Sequence, residues 1–155
     1  MEAHVNGRRW SVNPSSSTTL AKHLEPSLFD YNERLAGSLH SNHADDVWRA
    51  EVEAKLHMYR ACLLRHVRAA DGERGWIADL RGDAPRVEPL ARRARADFAR
   101  LDAHVLSVMA SLRHPARAMS DVRHDLRRLI ELTRRHRGRC ARLVHEAWGI
   151  DLGVG

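Results

Sequence analysis

Apolar residues recur every three or four positions in four separate runs, the spacing that lays one face of an α-helix against a core. The first run spans about 26–39, with Leu28, Tyr31, Leu35 and Leu39 in register. The second spans about 46–70 and carries Trp48, Val52, Leu56, Tyr59, Leu63 and His66. The third starts near Asp83-Ala84-Pro85, with proline in a first turn where its missing N–H costs nothing, and is striped by Val87, Leu90, Ala94, Phe98, Leu101 and Val105. The fourth follows Ser120, a helix-capping type, and carries Val122, Leu126, Leu129, Thr133, His136, Cys140, Leu143 and Ala147.

The punctuation agrees with this division. Ser41–Ala44 breaks the first run, and Asp45 or Asp46 is expected to cap the second by accepting from its first free N–H groups. Asp71-Gly72 ends it. Residues 72–84 form a connection with a short helical turn at 76–80, and Arg113–Met119, with Pro115, forms a loop. Strand-like alternation is absent. Four amphipathic runs with short links predict an all-α fold, an antiparallel up-down-up-down four-helix bundle over 21–155. Residues 1–20 are polar, with Gly7, Pro14 and a Ser/Thr run, and read as a disordered or loosely docked tail.

Composition narrows the function classes. The chain has 155 residues, enough for one core, and only two Phe and two Tyr. No stretch approaches the roughly 20 apolar residues of a membrane span, and the N-terminus lacks the apolar heart of a signal peptide. A cytoplasmic protein with reduced thiols is the expectation. The net charge is +6. Residues 1–60 hold seven Lys/Arg against eight Asp/Glu, so the excess lies C-terminal, spread along several helices. Twenty-four of 26 basic residues are Arg, closer to a compositional bias than to a phosphate-binding stripe, which counts against nucleic acid. There is no phosphate-binding Gly loop, nucleophile–base pair or paired-carboxylate motif, so an enzyme is not expected.

The ligand-type residues are more specific. The two cysteines each stand one turn from a histidine, in Cys62-x-x-x-His66 and His136-x-x-x-Cys140. Residues four apart share a helix face, so each pair can aim two donors at one point in a bundle. The inverted order brings His66 to the level of Cys140 and Cys62 to that of His136. The second and fourth helices are diagonal in a simple bundle, however, and neighbouring axes are already roughly 8–10 Å apart. A Cys2His2 zinc site is therefore awkward, and Cys62 reads as core packing.

Several segments carry a family likeness: Arg65-His66-Val67-Arg68, Asp71-Gly72, Asp83-Ala84-Pro85-Arg86, His136-Arg137-Gly138-Arg139, and Leu143-Val144-His145-Glu146-Ala147-Trp148 with Asp151-Leu152-Gly153. Together, over about 26–153, they resemble a bacterial branch of the hemerythrin-like (HHE cation-binding) family. The resemblance implies a four-helix bundle holding non-haem iron, mono- or di-nuclear, through histidines and carboxylates, for dioxygen or nitric oxide binding, redox sensing or iron storage. It assigns His66 and His136 as ligands, with Asp71 as the nearest match to a companion carboxylate, one residue late. Phe98 stands where a third-helix histidine is expected, His104 lies on the flank of that helix, and Cys140 stands where many members have a carboxylate. Glu33 and His40 are the candidates from the first helix. The expected metal set is His66, Asp71, His136 and Cys140, with three outcomes open: one ion, a site completed by Cys140, or a bundle without metal. In the last case the same residues pack the core, and the Arg-rich C-terminal half meets an acidic partner.

Overall fold

The computed structural model describes residues 26–148; the expected tail and the Asp151-Leu152-Gly153 segment lie outside the described residues. Four long helices and one short one make up the described chain: α1 (Leu28–Ser38), α2 (Asp45–Asp71), α3 (Trp76–Asp83), α4 (Glu88–Arg113) and α5 (Met119–Trp148). A 3-10 turn, Pro85–Val87, joins α3 to α4. No strand occurs among the described residues, and none of these helices is long and apolar enough to cross a membrane.

Local chemistry sets the ends. Ser27 and Asp30 form a reciprocal cap on α1: Asp30 N–H donates to Ser27 Oγ at 3.2 Å and Ser27 N–H to Asp30 Oδ2 at 2.7 Å. The start of α2 differs from expectation. Ala44 is its cap residue, with no side-chain bond, and Asp45 and Asp46 fall inside the first turn. Their carboxylates act there on the helix dipole. Pro85 opens the 3-10 turn, so α4 begins at Glu88 with Pro89 in its first turn. The last carbonyls of α4 are collected by Arg49, whose Nη1 donates to Leu112 O at 2.8 Å and Ser111 O at 3.3 Å.

Helix α1 packs on α2 and α5, and α4 packs on the same two helices. This leaves α2 and α5 facing each other across the core. Cross-helix bonds fix which levels meet. Arg49, Arg60 and Asp71 of α2 pair with Leu112, Asp102 and Arg95 of α4. Asn32 and Glu33 of α1 meet Ile130 and Arg134 of α5, while Leu39 meets Arg123.

The core has two apolar parts. One gathers Leu35, Trp48, Leu56, Leu63, Leu101, Val105 and Leu126. The other gathers Ala70, Ile77, Leu80, Val87, Ala94, Phe98 and Leu143 near the α3 end. Between their levels the α5 stripe turns polar: Thr133, His136 and Cys140 occupy the core face between Leu129 and Leu143, all buried. Tyr59 Oη lies 2.7 Å from Thr133 Oγ1, which itself donates to Leu129 O at 2.9 Å, so the phenol is the donor. Burial pushes the Tyr59 phenol well up from its ordinary value, and the bond to Thr133 only partly offsets this.

Candidate metal centre

The α5 spacing carries His136 and Cys140 into this polar band, one turn apart. His136 is fully buried and Cys140 nearly so. From the diagonal helix, His66 reaches across the core until its Nε2 lies 3.2 Å from His136 Nε2. Two imidazoles thus span the diagonal that short cysteine side chains could not. Cys140 Sγ lies 3.4 Å from the same His136 nitrogen, and one donor atom from each of the three residues lies within 4.8 Å of the others.

Aromatic rings close the sides. Phe98 packs edge-on against His136, with centroids 5.1 Å apart, and against His66 at 5.8 Å. Phe29 covers the remaining flank of His66 at 5.9 Å. Such a collar removes much of the water around the two rings, and the ionisation behaviour follows. Burial lowers the His66 pKa to about 4, helped by the neighbouring His136. Burial also lowers His136, while the hydrogen bond and charge of Asp97 pull the other way. Burial, with a smaller contribution from Asp97, raises the Cys140 thiol to about 12. Without an ion the cluster is two neutral imidazoles and a neutral thiol.

Asp97 is the neighbour of the cluster that the sequence did not single out. It is buried on α4, with Oδ2 3.3 Å from His136 Nδ1, and it is ion-paired with Arg139. A carboxylate only accepts, so Nδ1 carries the hydrogen and His136 Nε2 presents its lone pair to His66 and Cys140. That is the geometry in which an outer carboxylate fixes a ligating imidazole.

Of the four expected ligands, the structure brings together His66, His136 and Cys140. Asp71 is not with them. It lies exposed at the end of α2, ion-paired with Arg95. Five residues correspond to about 500° of helix rotation, about 140° away from the face of His66, which is why Asp71 points outward. Cys62 is elsewhere, its Sγ 3.6 Å from Pro26 O. Glu33 pairs with Arg134 at 3.1 Å and exposed His40 bonds Ala36 O, so neither joins the cluster. His104 is half-buried on α4 and outside it.

The donor set suits one ion. For Zn–N near 2.05 Å and Zn–S near 2.3 Å, the edges of a tetrahedron are about 3.3 Å (N···N) and 3.6 Å (N···S). The 3.2 Å and 3.4 Å separations fall close to both. A di-iron centre does not fit. It needs bridging carboxylates, whereas the carboxylate beside His136 is already held by Arg139 and the imidazole. No family model matches the chain, and neither a curated protein nor a solved structure matches it. These results point neither toward nor away from the hemerythrin-like family.

Proposed function

We propose that the protein is a hemerythrin-like helical bundle that binds a single first-row transition-metal ion through His66, His136 and Cys140. The observation that carries this reading is the convergence of three donors, His66 half-buried and His136 and Cys140 buried, from helices on opposite sides of the core, at separations an ion of this size can bridge. Asp97 holds the tautomer that frees His136 Nε2. Cys140 takes the role that Asp71 was expected to share. Two imidazoles and a thiolate suit zinc, and iron is the ion the resemblance implies. The role is binding, storage or redox sensing, including dioxygen or nitric oxide, and not turnover. A cytoplasmic compartment belongs to this reading, because it keeps the ligand thiol reduced.

The antiparallel up-down-up-down arrangement is part of the same proposal. It is supported by cross-helix bonds in which residue numbers rise along one helix and fall along its neighbour, as in Arg49–Leu112 and Asp71–Arg95.

One observation favours a second reading, a metal-free bundle. The His66–His136 bond and the Asp97 bond already satisfy the buried nitrogens of His136. Titration decides between them. Full-length protein stripped with chelator is titrated anaerobically with Zn(II), Fe(II) and Co(II). One equivalent should bind, with a thiolate-to-cobalt absorption band that Cys140→Ser abolishes and an affinity that His136→Ala destroys. Absence of saturable one-equivalent binding by all three ions establishes the metal-free reading. The preferred ion then decides between zinc and iron.

A further inference from the structure

A second concave feature lies on the outside of α4 and α5. Leu90 and Arg93 on one side, and Arg135, Gly138, Arg139 and Arg142 on the other, line a groove of about 350 Å³. It continues past Arg86, Pro89 and Glu146 into a neighbouring hollow of about 240 Å³ that shares Leu90, Arg93 and Arg142. Spacings of three and four on both helices place these residues on facing ridges along one trough.

The charges do not cancel. Arg135 pairs with Glu131, Arg139 with Asp97 and Arg142 with Glu146. Arg86 instead donates to the carbonyl oxygens of Glu146 and Ala147, at 2.9 and 3.5 Å. Arg93 is exposed, with no ion-pair or hydrogen-bond partner among the described residues. Five arginines thus face three carboxylates, leaving two cations in excess. The floor is open as well: a methyl group at Gly138 would meet nothing within 4 Å.

We propose that this groove binds a phosphate-type dianion carried by a small molecule. Guanidinium forks match phosphate oxygens in pairs, and a dianion neutralises the excess. Arg93, Arg135 and Arg142 make the contacts. Glu131 and Glu146 give way readily because their pairs are exposed i,i+4 pairs. Half-buried Arg139 stays on Asp97. A duplex is a poorer fit, since a nucleic-acid face engages roughly 6–10 phosphates.

The test is calorimetric titration of metal-free full-length protein, at low ionic strength, with inorganic phosphate, pyrophosphate and a DNA duplex. One phosphate or pyrophosphate should bind per chain. Arg93→Gln and Arg142→Gln should each weaken binding about tenfold, with unchanged melting temperature. Arg65→Gln, which makes the same charge change on exposed α2, should leave it unaltered. The proposal is overturned if neither phosphate saturates, if Arg65→Gln weakens binding as much as Arg93→Gln, or if only the duplex binds.

Discussion

His66 Nε2 donates to His136 Nε2 across 3.2 Å, joining the two diagonal helices of the bundle at a level where its core is polar. The direction of the bond is set from outside the pair, by Asp97 on His136 Nδ1. Protonating His136 places a second hydrogen at Nε2, where a lone pair is needed, and protonating His66 puts a charge beside Phe98 and His136.

The metal-free protein should therefore lose stability in mild acid. Unfolded histidines take up protons near 6.5, whereas folded His66 does so only at about 4 and His136 is also lowered. Between those values the unfolded chain binds more protons, so stability rises with pH. The contribution is fully present above about 6.5 and is lost as pH falls toward 4, by about 2 kcal/mol. Calorimetry between pH 7.5 and 4.5 checks this, above the range where Glu33, Glu51 and Asp30, all lowered, add their own loss. A flat melting temperature over that interval contradicts the assignment, and His66→Leu should make the dependence shallower, leaving the part due to His136 and His104, which burial also lowers.

Asp97→Asn tests the outer carboxylate. It removes the charge facing Arg139 and relaxes the hold on the His136 tautomer, and losing such a partner typically costs about 10–100-fold in metal affinity. Competition against a chromophoric chelator measures it. Unchanged affinity in a folded Asp97→Asn protein would show that Asp97 serves packing alone.

Helical periodicity made His66, His136 and Cys140 legible in the sequence, because residues on a core stripe keep their face whatever their chemistry. It also made the helices legible, apart from the cap of α2, the start of α4 and the start of α5, which begins at Met119 so that Ser120 lies inside its first turn and does not cap it. Asp97 was less visible. It stands three residues after Ala94 and four before Leu101, a core position by spacing, but a carboxylate is buried only with partners. Those partners, His136 and Arg139, come from another helix, and one-dimensional spacing does not report cross-helix pairing. Asp71 fails for the complementary reason. It has the right chemistry near the right histidine, but the helix turns it toward Arg95.

Tyr59→Phe probes the lower edge of the polar band. Thr133 keeps its bond to Leu129 O and loses only the phenol. A destabilisation of about 1 kcal/mol is expected, read from urea unfolding, with metal affinity unchanged. A loss of affinity comparable to that of Asp97→Asn would mean that Thr133 and Tyr59 position His136.

Phe98 offers the most direct test of the shared site. Its ring touches both histidines, and it occupies the position where the family resemblance calls for a third imidazole. Phe98→His brings a new donor to the same collar. In the metal-free protein it should cost about 1–3 kcal/mol, because a polar ring enters an apolar contact without an assured partner. With an ion present it should raise affinity about tenfold, equivalent to about 1.4 kcal/mol, and recover most of that stability. The two effects have opposite signs, so melting curves with and without zinc separate them. A variant that folds, melts lower, and gains nothing from zinc relative to the parent would mean that His66 and His136 do not converge on an ion.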